Sequence, residues 1–289
     1  YGWGASDDNA SIEAIHRSLD LGINWIDTAA VYGLGHSEEV VAKAIKGKRD
    51  RVFIATKCSQ VWDDRGRVRT HLEPGSMRKE LEASLRRLGT DHIDLYQIHW
   101  PDPKTPAEIS WQQMVDFRNE GKVRYIGVSN YGIDLLERCE AIAHVQSIQP
   151  IYNMLERWIE PEVIPWCKAH GTGIVAYSPM QSGLLTGTFD KSKLPADDWR
   201  ITHSEKFREP KFSRGLRLVE SLRPMAERYK KSVGQLAINW VLRNDAVTSA
   251  IVGARTPHQV EQNCGATGWN ISDADMQHIA SFLDADPER

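Results

Sequence analysis

The chain has 289 residues, 41% hydrophobic and 26% charged, with a formal net charge of −3. Such a composition is that of a globular protein, and the length accommodates one large barrel or two smaller domains. The slight acidic balance excludes a chain-wide basic footprint for nucleic acid, and no apolar run approaches the roughly 20 residues of a membrane-spanning helix.

The opening Tyr1-Gly2-Trp3-Gly4 has neither a basic n-region nor an apolar h-region, so no secretory leader is expected. Beyond it, short β-rich runs alternate with helical patterns. A helix over 11–21 leads to a strand over 24–29 that carries Asp27, and Tyr32 follows five residues after Asp27. A helix over 37–46 precedes a strand over 52–57 that closes on Lys57. The segment 74–88 is helical by period: Met77, Leu81, Leu85 and Leu88 share one face, and Arg78, Lys79, Glu80, Glu82, Arg86 and Arg87 surround the other. Pro74 stands where a helix tolerates proline and Gly89 follows the end. The strand 93–99 closes on His99. Helices over 109–120, 133–143 and 161–170 then separate strands over 124–129, 147–153 and 173–179. A polar segment, 188–212, is too long for a passive linker and is expected to cover a ligand. Two helices, 215–229 and 232–243, lead to a last strand over 249–254.

Strand–helix alternation over this length predicts a parallel sheet with crossover helices, and its closed form is the (β/α)8 TIM barrel. An open doubly wound sheet would carry a G-x-G-x-x-G turn after a strand, and none occurs. The runs supply seven strands where the barrel needs eight. The missing first strand is expected to precede Tyr1, with residues 1–289 forming a single barrel domain.

Parallel strands of one barrel present their carboxyl ends on one rim, which is where Asp27, Tyr32, Lys57 and His99 then emerge. Singly, each has an ordinary reading: a loop cap, amphipathic packing, a solvated lysine, a structural histidine. In register they describe proton delivery to a carbonyl that accepts hydride. A phenol is a weak acid with a pKa of about 10, and an ammonium beside it favours the phenolate. Lys57 serves Tyr32 in this way, Asp27 keeps Lys57 charged, and His99 hydrogen-bonds the carbonyl oxygen. The four cysteines, Cys58, Cys139, Cys167 and Cys264, lie far apart and form no C-x-x-C pair. This fits a reducing, cytoplasmic setting and argues against a disulfide framework or a metal site. Cys58, beside Lys57, reads either as a redox-sensitive thiol or as a small buried one.

Three motifs carry a resemblance to the aldo-keto reductase superfamily over nearly the whole chain, most strongly to bacterial NADPH-dependent members. They are Asp27-Thr28-Ala29-x-x-Tyr32-Gly33 with Ser37-Glu38, Asp91-x-x-Asp94-Leu95-Tyr96-x-x-His99-Trp100, and Gly121-Lys122-Val123-Arg124-x-Ile126-Gly127-Val128-Ser129-Asn130. The resemblance implies that Asp27, Tyr32, Lys57 and His99 are the catalytic tetrad of a monomeric reductase of small carbonyl compounds. It also implies NADP(H) bound in extended form at the barrel mouth. Ser129, Asn130 and Gln149 would hold the nicotinamide amide, and Tyr177 would stack on the ring or else serve core packing. Ser178, Met180, Gln181, Gly183, Leu184 and Gly187 belong to a small-residue loop whose backbone amides can approach a pyrophosphate. Related sequences often carry a lysine where Thr188 stands. Arg200 either reaches the cofactor or is a solvated surface arginine.

Gly253-Ala254-Arg255 precedes a helix start, where a 2′-phosphate would meet a cation and helix-terminus amides. Gln259, Gln262 and Asn263 share one helical face toward the adenosine, with Gln262 replacing a frequent glutamate. Trp62 and Trp100 are expected at the substrate mouth as aromatic walls, with a loop anchor as the other reading of Trp62. Two other functions compete. Some relatives, including channel-associated subunits with asparagine for the histidine, bind the cofactor as redox sensors; His99 argues against that role here. A glycoside hydrolase would pair Asp27 with Asp94 or Asp102 and would leave Lys57 unexplained.

Overall fold

The computed structural model describes residues 7–285, so Tyr1-Gly2-Trp3-Gly4 and any strand before it lie outside the described residues. The elements run α1 (Asp8–Asp20), β1 (Trp25–Asp27), α2 (His36–Ile45), β2 (Phe53–Cys58), β3 (Gln60–Trp62), β4 (Val68–Thr70), α3 (Pro74–Leu88), β5 (Ile93–Ile98), α4 (Ala107–Asn119) and β6 (Val123–Ser129). They continue with α5 (Ile133–Glu140), β7 (Ser147–Gln149), α6 (Val163–His170), β8 (Gly173–Tyr177), α7 (Trp199–Thr202), α8 (Lys211–Arg228), α9 (Val233–Leu242), β9 (Val247–Ile251), α10 (Pro257–Cys264) and α11 (Asp273–Asp284).

One seven-stranded sheet has the order β1-β2-β5-β6-β7-β8-β9. The pairs from β1 to β8 are parallel. With helices between successive strands, this is the α/β fold of a (β/α)8 barrel, seven of whose eight strands stand among the described residues. By density of contacts the chain divides into two compact units. The first takes the chain to Pro150 with Ile159–Val175 and Gly253–Glu261; the second takes Ile151–Trp158, Ala176–Val252 and the chain from Gln262.

In the first unit, α3 shows how local sequence sets an element. Pro74 occupies its first turn, and Gly89 ends it with a left-handed φ of 62°. Met77, Leu81 and Leu88 are buried as their period requires, but so is Glu80, which the sequence places on the polar face. The Ser59 amide donates to Glu80 Oε2 at 3.0 Å, while Oε1 is buried without a partner. The antiparallel hairpin β3–β4 has no counterpart among the expected elements. Gln60 is buried, Arg69 is exposed and the other four residues are half-exposed, which gives no clear alternation of period two. The strand expected over 147–153 ends at Gln149, because Pro150 has no N–H to give to the ladder. Only an isolated bridge from Ile151 to Tyr177 remains beyond it.

Side chains alternate across a strand. Asp27, Lys57, Gln97 and Gln149 therefore face one way from β1, β2, β5 and β7, and hydrogen bonds join them there. Register sets Lys57 beside Gln97, Gln97 beside Gly127 and Gly127 beside Ser147. A Cβ on Gly127 would lie 2.6 Å from the Ser147 carbonyl oxygen, so only glycine fits this crowded place.

In the second unit, α9 opens with a capping box between Ser232 and Gln235 and buries Leu236, Ala237, Ile238, Trp240 and Val241. The polar segment after Gly187 is broken into short turns at Lys191–Lys193, Trp199–Thr202 and Glu205–Phe207. Phe189, Phe207 and Phe212 cluster there, with Phe189 and Phe207 at 5.2 Å between ring centroids.

Candidate active site

The four residues expected to act together are brought together within the first unit. Lys57, on β2, has no exposed side-chain surface, while Asp27, at the end of β1, is 9% exposed. Lys57 Nζ donates to Asp27 Oδ1 at 2.5 Å and to the Thr28 carbonyl at 2.9 Å. It lies 5.6 Å from the centroid of the Tyr32 ring. Tyr32 opens a tight turn, Tyr32–Gly35, in which Gly33 and Leu34 take left-handed φ of 61° and 55°. Four residues separate that turn from β1, and the Tyr32 ring stands beside Lys57 and His99. His99, one residue past β5, meets the Tyr32 ring edge-on at 5.7 Å. Its amide donates to the Cys58 carbonyl at 3.0 Å, which ties the ends of β2 and β5 together.

The electrostatics follow from burial and these contacts. Burial works against the Lys57 charge, but Asp27, Tyr32 and Glu38 outweigh it and hold the ammonium above its ordinary pKa. Burial raises the Tyr32 pKa above its ordinary value of 10.0; Lys57 pulls it down and Asp27 pushes it up. The expected effect of Lys57 is therefore present, and burial exceeds it. Burial first and the Lys57 charge second depress His99 to about 3. Its imidazole is neutral at ordinary pH and can donate one N–H. Behind Lys57, Glu38 is fully buried. It accepts from Thr56 Oγ1 at 2.6 Å and from Arg87 Nε at 2.7 Å.

Gln149, Ser129 and Asn130 lie at the ends of neighbouring strands of the first unit. Gln149 Nε2 donates to Asp27 Oδ2 at 2.7 Å and to Gln97 Oε1 at 3.3 Å. Ser129 Oγ donates to the Gln149 carbonyl at 2.7 Å. Asn130 Nδ2 donates to the His99 carbonyl at 3.1 Å and to Ser129 Oγ at 3.0 Å. Sequence reading missed Gln97, although it stands two residues before His99, the spacing that puts two side chains on one face of a strand. In the same unit, Gly253 and Arg255 are exposed, and Gln259 Oε1 accepts from the Arg255 amide at 2.7 Å as a cap at the start of α10.

The second unit holds the small-residue loop. Ser178, Gln181, Ser182, Gly183 and Gly187 all take left-handed φ, between 45° and 97°. Three of them, Gln181, Ser182 and Gly183, are consecutive, and the amides of Gln181, Gly183 and Leu185 donate to the carbonyls of Ser178 and Met180. Leu184 is buried, and so is the Gln181 side chain, whose Nε2 lies 3.3 Å from Glu156 Oε1. The Met180 sulfur abuts Gly234. Tyr177 is half-buried and accepts from the Tyr152 amide through its carbonyl at 3.2 Å. Arg200 is not a solvated arginine: it forks onto Asp198 at 2.9 and 2.7 Å and reaches the Ser182 carbonyl at 3.4 Å. Gln262, exposed, accepts through its carbonyl from Gln235 Nε2 at 2.8 Å, and Asn263 is half-buried.

Trp100 is 42% exposed, and its amide donates to Ser59 Oγ at 3.1 Å. Trp62 lies on β3, with the Arg87 guanidinium 5.9 Å from its ring. The paired-carboxylate alternative fails on its second acid. Asp94 is ion-paired with Arg49 at 2.8 Å and Arg124 at 2.9 Å, and it accepts from the Ile54 amide. Asp102 accepts from the Lys104 amide in its own loop and from the Leu72 amide in another. Burial pushes the Cys58 thiol well up, so the small buried thiol is the correct reading of that residue. Among the described residues, no group of three or more His, Cys, Asp or Glu is placed to hold a metal ion, and no helix is long and apolar enough to cross a membrane.

Known proteins share this chain's sequence and fold. The model of the aldo/keto reductase family matches residues 1–284. Aldo-keto reductase YhdN of Bacillus subtilis is 42% identical over 286 residues, covering 98% of this chain and 86% of that protein. An NADH-specific methylglyoxal reductase of Escherichia coli is 33% identical, covering 97% and 90%. Among solved structures, the glycerol dehydrogenase AKR11B4 from Gluconobacter oxydans superposes with a TM-score of 0.91 at 38% identity, over 99% of this chain and 89% of that one. An aldo/keto reductase from Klebsiella pneumoniae in complex with NADP and acetate gives 0.76 at 29% identity, over 100% and 91%. With its sequence matched almost from end to end, this chain belongs to the aldo/keto reductase family.

Proposed function

We propose that this chain reduces aldehydes or ketones to alcohols with NADPH, with Tyr32 as the general acid. The observation that carries this reading is the buried Lys57 between Asp27 and the Tyr32 ring, with a neutral His99 at the ring's edge. When bound, the nicotinamide cofactor supplies the hydride. The residues of the chain manage the proton. Tyr32 gives its phenolic hydrogen to the carbonyl oxygen as negative charge develops there, and Lys57 stabilises the phenolate left behind. Asp27 anchors Lys57, and His99 donates a second hydrogen bond that fixes the carbonyl. In reverse, an alcohol gives its proton to the Tyr32 phenolate.

The residues fit the cofactor. Both donor positions of Gln149 Nε2 are committed within the protein, which leaves its carbonyl oxygen to accept from a carboxamide NH2. The left-handed loop offers backbone amides for a pyrophosphate, with Tyr177 as the candidate ring partner. Arg255, exposed at a helix start, suits a 2′-phosphate, and Gln259, Gln262 and Asn263 suit the adenosine. Arg200, tied to the Ser182 carbonyl, supports the loop. Trp62 and Trp100 are the candidate substrate walls. The NADP bound in the Klebsiella protein supports the same cofactor here, while the NADH-specific E. coli relative makes a comparison of both coenzymes decisive. We place the protein as a single-domain monomer in the cytoplasm, acting on small molecules and not on nucleic acid, in keeping with four free cysteines and a net charge of −3.

Oxidation of NADPH and of NADH, each against aromatic and aliphatic aldehydes, tests the reading. Turnover preferring NADPH, lost in Tyr32→Phe with cofactor binding kept, is the expected result. Folded protein that binds NADPH and turns nothing over would transfer the site to a redox-sensing role.

A further inference from the structure

Gln97 is fully buried on the same strand face as Asp27, Lys57 and Gln149. Its Oε1 accepts from Gln149 Nε2, while its own Nε2 has no hydrogen-bond partner. A buried amide half without partners is destabilising, and a leucine of similar size would pack there without that cost. Stability therefore gives no reason for glutamine at this place. Its oxygen does give one. An amide nitrogen carries two hydrogens, and those of Gln149 go to Asp27 Oδ2 and Gln97 Oε1. Rotation of the Gln149 amide by half a turn would set its oxygen against two acceptors, one of them a carboxylate. Gln97 thus biases Gln149 toward the one orientation that serves Asp27.

We propose that Gln97 is a positioning residue for proton delivery, holding the Gln149 amide so that it donates to Asp27. This rests on the carbonyl-reductase reading and deepens it. Asp27 has one oxygen on Lys57 and the other on Gln149. The hydrogen bond from Gln149 disperses carboxylate charge that otherwise acts on the phenol. The charged groups that act on Tyr32 are Lys57 from β2 and Asp27 from β1; Glu38 from α2 acts on Lys57, and the His99 imidazole beside the ring is neutral. Loss of the Gln97 acceptor frees Gln149, concentrates charge on Asp27 and makes Tyr32 a weaker acid. The Gln97 side chain accepts from Gln149, and through that amide it acts on Asp27 and Tyr32.

The test compares wild type, Gln97→Leu, Gln149→Leu and the double variant by two readouts. One is the pH profile of kcat for alcohol oxidation, which needs the Tyr32 phenolate. The other is ultraviolet titration of Tyr32, taken as the difference between each protein and its Tyr32→Phe counterpart, which needs no turnover. Gln97→Leu is expected to raise both midpoints by about one pH unit, roughly a tenfold loss of rate below the midpoint. The double variant should shift no further than Gln149→Leu alone, since both act along one path. Unmoved midpoints in folded Gln97→Leu, or shifts that add in the double variant, would overturn the proposal. Gln97→Met, closer to the original length, answers the same question if the leucine variant does not fold. A wild type without turnover counts against the reductase reading, whereas the titration judges Gln97 independently.

Discussion

Lys57 meets Asp27 at 2.5 Å from a position with no exposed side-chain surface. A buried ammonium is tolerable only when paired, and the same pairing keeps it charged beside the phenol. In Lys57→Met, Asp27 loses its cation and Tyr32 keeps only the influences that raise its pKa. The expected outcome is a loss of turnover of about 100-fold or more. Stability should fall by roughly 3 kcal/mol, because one charge of a buried pair is left alone. Steady-state assays and urea unfolding of the same preparation measure both.

His99 is held near 3 against an ordinary 6.5. Between those values the unfolded chain binds a proton that the folded chain does not. Stability from this residue is therefore complete above the unfolded value and is lost as pH falls toward 3. Denaturant unfolding at about pH 7 and about pH 4 should show a smaller acid loss in His99→Leu than in wild type.

Glu80 runs the opposite way, since burial raises it from 4.5 to about 8. The folded state holds a proton that the unfolded state has lost. Its contribution is complete below the unfolded value and disappears as pH rises through about 8. Wild type should lose stability between about pH 5 and pH 9 relative to Glu80→Gln, which has no such proton; parallel slopes in the two proteins would refute this.

Gly127 permits a close approach of β6 to β7, where an added Cβ would lie 2.6 Å from a carbonyl oxygen. Gly127→Ala should lower unfolding stability by about 1–3 kcal/mol, the range for overpacking a tight site. The denaturation midpoint reads it directly.

Arg255 stands exposed at a helix start and is the candidate partner of a 2′-phosphate. A hydrogen bond between charged groups contributes about 1.5–3 kcal/mol, so Arg255→Ala should raise the KM for NADPH roughly tenfold or more. The KM for NADH, which lacks that phosphate, should stay nearly constant. Equal losses with both coenzymes would remove Arg255 from this role.

Local sequence was enough to read the alternation of strands and helices and the motifs that mark the family. Such features rest on local periodicity: the face of Met77, Leu81 and Leu88, the stop at Gly89 and the placement of Asp27, Lys57 and His99 at strand ends. Tertiary structure decided everything that depends on neighbours from distant strands. Gln149 and Asp27 stand 122 residues apart in the chain and 2.7 Å apart in space. Asp94, a plausible second acid by position, proved to be neutralised by Arg49 and Arg124. Glu80 entered the core with one oxygen held by an amide from another element and the other without a partner. Tyr32 became a weaker acid than its lysine neighbour alone would make it, because burial opposes charge more strongly than Lys57 favours it. Periodicity reports which way a side chain points along its own element. The polar partners, registers and depth that set its chemistry arise only when the strands assemble.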